Sequence, residues 1–191
     1  MEDHMRSGFT LIELLTVMAI MAILAGILLP AIGMVRESSR RTSCGSNQRQ
    51  IVMEMLIYTS ERRAWPNAGT GAASLELMLP RLRDDLRLFI CPSDPQAGGM
   101  REGLRNPGWS ATEVSYAYDP DTPMNAKPGR VVMADAKRAD GLTTHKKTTI
   151  ACFADGHVGN LTKSGSAYPN QDGNDADIYD GTPSPTDARV R

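Results

Sequence analysis

Few residues in this chain have the types and spacing that chemistry requires, and most of them fall in its second half. His145, Asp155 and His157 offer two imidazoles and a carboxylate, suitable ligands for a transition metal. The plainer reading, and the one preferred, is that Asp155-Gly156 makes a tight turn while His145 caps or flanks a strand. Farther on, Asn170-Gln171-Asp172-Gly173-Asn174-Asp175-Ala176-Asp177-Ile178 crowds carboxylates and amides together. Such a stretch either repels itself in a solvated, acidic tail or surrounds a hard cation, and calcium, which takes about six to eight oxygens, is the candidate ion. It is not an EF-hand, because no bidentate Glu follows at the required distance. Cys44, Cys91 and Cys152 lack CxxC spacing, which argues against a zinc ribbon or a thioredoxin-like site. G-x-S-x-G and a phosphate-cradling Gly loop are both missing, so no enzyme is expected.

The elements that must carry these residues are set by an uneven composition. Among 191 residues, 21 Lys and Arg face 22 Asp and Glu, which leaves no basic footprint for a nucleic-acid partner. Aromatic residues make up 5%, so the core outside the N-terminal apolar block must be small. That block reads LLTVMAIMAILAGILL from Leu14 to Leu29. With its flanks, Phe9 to Val35, it makes a helix of about 40 Å at roughly 1.5 Å per residue. A hydrocarbon core of about 30 Å is thereby spanned. The apolar residues surround the helix, so it faces lipid or sits buried in an assembly. The block is too long for a secretory signal peptide, and Pro30-Ala31-Ile32-Gly33 is a poor cleavage site. A plain anchor, in turn, has no use for Glu13. A carboxylate in a spanning segment costs about 2.5–3.5 kcal/mol at the helix centre, so it calls for a partner.

Arg6-Ser7-Gly8-Phe9-Thr10-Leu11-Ile12-Glu13-Leu14-Leu15 resembles the cleavage and methylation signal of type IV prepilins and type II secretion pseudopilins. The resemblance implies a leader, residues 1–8, cut after Gly8 by a prepilin peptidase, with Phe9 as the N-methylated first residue. By that resemblance Glu13 takes the family's fifth mature position, and Pro30 matches its usual helix-kinking proline. Glu2 and Asp3 make the leader less basic than the positive-inside pattern, and translation from Met5 would remove that departure. In such subunits the apolar helix holds the protein in the bilayer and later becomes the filament core. Glu13 could then pair with the amino terminus of a neighbouring subunit and set axial register, since an unpaired charge there is costly. Pro30 removes an intrahelical hydrogen bond, so a bend or local melting is expected near residues 26–30.

Beyond residues 9–35 the helix should continue as an amphipathic segment over 36–62. Ile51, Val52, Met55, Leu56 and Tyr58 fall at helical spacing and should pack on a head domain over 63–169. Arg36, Glu37, Arg40, Arg41 and Arg49 should face solvent or neighbours. Residues 75–88 read as one or two short helices broken at Pro80. Residues 116–118, 130–135 and 148–153 read as strands, and Asp155-Gly156 as the hairpin turn into a returning strand over 157–161. The expected fold class is α+β, pilin-like: a long N-terminal helix and a small antiparallel sheet, with an acidic, Pro-rich tail over 170–191.

His145, nine intervening residues and Asp155-Gly156 resemble the H-X9-DG element of a group of prepilin-like proteins, together with RRTSCGSNQRQI and FICPSDP. The tail resembles the C-terminal calcium loop of major type II pseudopilins, which implies Asp172 and Asp177 as ligands with Asp175 beside them, although the spacer is only Asn174. A head outside the inner membrane, in the periplasm, would allow disulfides. Cys44 and Cys91 are then the expected pair, with Cys152 a buried thiol in an apolar strand. The implied partners are a prepilin peptidase, other pilin or pseudopilin subunits in a homo- or hetero-filament, and an inner-membrane assembly platform. Two function classes compete: a structural subunit of a pseudopilus or pilus, and a membrane-tethered periplasmic binding or enzymatic domain using the leader for sorting.

Overall fold

The computed structural model describes residues 10–110, 112–136, 144–145, 148–162, 168–169 and 175–176. By its internal contacts the chain divides into two units, Met1–Ser39 and Arg40–Arg191. One helix, α1 (Leu11–Arg62), contributes to both.

In the first unit, residues 10–36 are all exposed, and this part of α1 is long and apolar enough to cross a membrane. The helix runs unbroken through Gly26 and Pro30, so the expected local melting is not present. One proline removes one hydrogen bond, and the turns on either side are strong enough to carry the helix past it. At its start, Thr10 and Glu13 form a capping box. The Glu13 carboxylate accepts from the Thr10 backbone N–H at 2.8 Å and from its hydroxyl at 2.7 Å, while Thr10 Oγ1 accepts from the Glu13 N–H at 3.3 Å.

In the second unit the α1 stripe is extended toward the N-terminus: Cys44, Gly45 and Gln48 are buried along with Ile51, Val52 and Met55. Arg36, Arg40 and Arg49 are exposed, while Glu37 and Arg41 are half-buried. Gly45 does not break the helix. A Cβ there would stand 3.0 Å from Val158 Cγ1, so the missing side chain lets α1 approach the sheet closely. After Arg62 the chain turns at Arg63, which adopts φ 54°, and Trp65 and Pro66 return to the core. The segment read as one or two helices resolves into α2 (Gly71–Glu76) and two 3-10 turns, Pro80–Leu82 and Leu86–Phe89. Thr70 caps α2 by accepting from the Ala73 N–H. A further helix, α3 (Ala97–Gly103), has no signature in the sequence, since its glycines interrupt the helix-forming Ala, Met, Arg and Glu.

The sheet is an antiparallel meander of β1 (Tyr116–Tyr118), β2 (Val131–Asp135), β3 (Thr148–Phe153) and β4 (Val158–Thr162) in that spatial order. Asp155-Gly156 makes the β3–β4 turn, with Gly156 at φ 83°. Separately, β5 (Tyr168–Pro169) and β6 (Asp175–Ala176) pair antiparallel. Tyr116, Tyr118, Ile150 and Cys152 belong to the core cluster shared with α1, while Ala117, Ala151, Phe153 and Leu161 form a second cluster. β2 breaks the alternation. Its register shifts between Val131 and Met133, and Val132 and Met133 both join the α1 cluster. This bulge reverses the parity of the residues after it, so Ala134 falls in the second cluster and Asp135 meets α1. The fold is α+β and pilin-like, a long apolar N-terminal helix followed by a small antiparallel sheet.

Candidate functional site

Four side chains that no sequence spacing connects converge inside the second unit. Cys44 comes from α1, Cys91 from the turn after Phe89, Asp135 from the end of β2, and His145 from a turn between β2 and β3. All four are buried, and one ligand atom from each lies within 4.8 Å of the other three. Cys44 Sγ donates to Asp135 Oδ1 at 3.1 Å. Cys91 Sγ lies 3.3 Å from His145 Nε2, and His145 Nε2 lies 3.9 Å from Asp135 Oδ2.

Asp135 and the Cys91 turn are held from outside the cluster. Gln48 Nε2 donates to Asp135 Oδ1 at 2.9 Å and to the Ile150 carbonyl at 3.3 Å, and the Ile150 N–H donates to Asp135 Oδ2 at 2.9 Å. The Cys91 turn is closed by the Asp94 N–H on the Cys91 carbonyl. It is tied to β1 by the Ser115 hydroxyl donating to Asp94 Oδ2 at 2.9 Å. Tyr116, paired with Asp135 across β1 and β2, lies with its buried hydroxyl against the Cys44 thiol.

The electrostatics separate the two thiols. Burial pushes the Cys44 thiol far up. The Cys44 thiol beside it brings Cys91 down to about 6 against the cost of burial, and His145 adds to that pull. The single Cys44 S–H can serve Asp135 or Cys91, not both at once. Asp135 is pushed up to about 7 by burial, with His145 pulling the other way. Two chemistries suit a Cys, His and Asp at this range. A nucleophilic relay needs the imidazole to use one nitrogen for the thiol and the other for the carboxylate. Here the single atom His145 Nε2 faces both Cys91 and Asp135, and neither Cys91 nor His145 is exposed beyond 2%. Four ligand atoms from buried residues gathered within 4.8 Å of one another make a group that could hold a metal ion.

The sequence expectations sort themselves against this geometry. Cys44 and Cys91, the pair expected to form a disulfide, do come together and carry free thiols in the structure, and Cys152 is a third buried thiol, pushed up to about 12 by burial. His145 lies in the turn that precedes β3 and meets Cys91 and Asp135, not Asp155 and His157. The latter two sit at the β3–β4 turn, where the His157 N–H donates to Asp155 Oδ1 at 3.0 Å and the ring stacks on Phe153 with centroids 4.1 Å apart. Gly8, Phe9, Asp172 and Asp177 lie outside the described residues, and Asp175 enters only as a β6 backbone position opposite Pro169. Asp135 was missed. Its one signature was a carboxylate ending the apolar strand VVMAD, which periodicity alone does not distinguish from a strand boundary.

Residues 3–29 match the family model for the prokaryotic N-terminal methylation motif. The match supports a type IV pilin-like protein with a prepilin-type leader of the kind a prepilin peptidase processes. The long apolar helix that follows is compatible with membrane anchoring. No curated protein and no solved structure matches the chain.

Proposed function

We propose that this chain is a structural, non-enzymatic subunit of a type II secretion pseudopilus or a type IV pilus. In this reading a prepilin peptidase cuts after Gly8, Phe9 is methylated, and the subunit waits in the inner membrane with its head in the periplasm. The observation that carries the reading is the methylation motif at residues 3–29 set directly on a helix whose apolar residues are exposed all round. Such a helix is satisfied by lipid before assembly and by neighbouring helices afterwards, so extraction exposes little apolar surface to water. The Glu13 carboxylate, already turned toward the helix start by its box with Thr10, would stand beside a new amino terminus created at Phe9. Across a subunit junction that pairing sets register.

Mass analysis of the mature chain tests the processing step. It should begin at methylated Phe9, and Gly8→Val should leave the uncut precursor in the membrane. Recovery of the protein in sheared filaments supports the subunit reading. Mature protein confined to the membrane fraction, with no co-purifying pilin, would favour a tethered domain instead.

A further inference from the structure

We propose that Cys44, Cys91, Asp135 and His145 form a structural zinc site that fastens the head's loops and sheet to α1. Zinc bonds of roughly 2.3 Å to sulfur and 2.0–2.1 Å to nitrogen or oxygen make a tetrahedron with edges of about 3.5 Å for sulfur to nitrogen or oxygen, and about 3.4 Å for nitrogen to oxygen. The observed Cys44–Asp135, Cys91–His145 and His145–Asp135 separations of 3.1, 3.3 and 3.9 Å bracket those edges. Shifts of a few tenths of an ångström in side chains would centre an ion.

The donor set selects the metal class. Two thiolates with an imidazole and a carboxylate are too soft for calcium or magnesium and suit a tetrahedral zinc ion. Four protein ligands in a closed, buried pocket leave no position for substrate, which is the pattern of a structural site. Binding displaces the proton of each thiol to solvent, while Asp135 enters as carboxylate and His145 as neutral imidazole. Two thiolates and one carboxylate around a dication leave one net negative charge. Gln48 Nε2 and the Ile150 N–H already point at the Asp135 oxygens, and these donors would carry that charge. The Tyr116 hydroxyl, already against Cys44, would meet a stronger acceptor when that sulfur becomes a thiolate.

A disulfide explains less. It would use Cys44 and Cys91 alone, remove the S–H that now donates to Asp135, and leave a buried imidazole and carboxylate gathered around it for no purpose. The ligands come from positions 44, 91, 135 and 145, so one ion would close long loops in a head with 5% aromatic residues in the whole chain. Small cores commonly need such a staple.

The test uses the full-length chain purified in detergent from its native compartment, without chelator. Elemental analysis should find about one zinc per chain, and X-ray absorption should show two sulfur and two nitrogen or oxygen neighbours. His145→Gln and the isosteric Asp135→Asn should reduce zinc to a small fraction of that, while Cys152→Ala should leave it unchanged. Asp135→Asn guards against misfolding, since its secondary structure by circular dichroism should match the parent. Cobalt added to the chelated parent should produce thiolate-to-metal charge-transfer absorption, which Asp135→Asn should weaken and Cys91→Ser should abolish. Three free thiols with no zinc and no cobalt spectrum would overturn the proposal, as would a Cys44–Cys91 disulfide in the native protein. Filament recovery is a separate readout, so failure of the zinc site and failure of the subunit reading remain distinguishable.

Discussion

Replacing Glu13 by Gln and, separately, by Ala divides two roles that one carboxylate could hold. In the isolated subunit Glu13 completes the capping box, accepting at 2.8 and 2.7 Å from Thr10. Glutamine retains an acceptor oxygen and can keep that box, as the Thr-x-x-Glu/Gln pattern allows. It loses only the favourable interaction of a charge with the helix N-terminus, about 0.3–1 kcal/mol. Alanine loses both hydrogen bonds, each worth a net of about 0.5–1.5 kcal/mol. On capping alone, therefore, Gln should be nearly silent and Ala should cost about 1–3 kcal/mol. On the intersubunit role the order changes. Removing one partner of a buried ion pair costs about 3–5 kcal/mol, and both variants do so. That amounts to roughly a hundredfold to several-thousandfold loss in each junction's equilibrium constant. Both variants should insert and be cleaved, and both should fail to appear in sheared filaments quantified against the membrane pool. Wild-type filament incorporation of Glu13→Gln, with Glu13→Ala defective, would refute the charge argument and leave capping as the role of this residue.

Two further predictions concern the head. Arg130 and Asp119 pair at 2.7 Å with the Asp119 side chain 1% exposed, so Arg130→Met should destabilise the fold by about 3–5 kcal/mol at pH 7. Burial already raises the Asp119 carboxyl while Arg130 pulls it down, and the variant removes that pull. With the folded value above the unfolded one, the carboxyl's contribution is present below about pH 4 and is lost as pH rises through the folded value. The difference in Tm between parent and variant should therefore widen from pH 4 to pH 7, and an equal difference at both would refute the account. Gly156 holds φ 83°, and a Cβ there would stand 2.8 Å from Met53 Sδ. Since Met53 is a flexible, half-exposed side chain, backbone conformation should dominate. Gly156→Ala should then lower stability by about 1–2 kcal/mol in urea titration, and adding Met53→Ala should not restore it.

What could be read along the chain is what local physics controls. The apolar run from Leu14 to Leu29 dictates a helix long and apolar enough to cross a membrane. The stripe through Ile51, Val52 and Met55 names the buried face, and it reaches back to Gln48 and Cys44 once the period is extended. Alternating β-branched and aromatic residues, with Asp155-Gly156 between, define the β3–β4 hairpin. Each is a pattern within a dozen or so residues, where periodicity and turn chemistry act. The four-residue cluster depends on none of these. His145 is nearer in sequence to Asp155 and His157, yet it meets Cys91, 54 residues away, because the fold and not the spacing sets distance. Asp135 reaches Cys44, 91 residues earlier, after a one-residue bulge at Val131/Met133 reverses the pleat. Without that bulge the carboxylate would point to the other face of the sheet. A register shift is decided by how neighbouring strands and α1 pack together. That is a property of the tertiary structure, and no count of residues along the chain contains it.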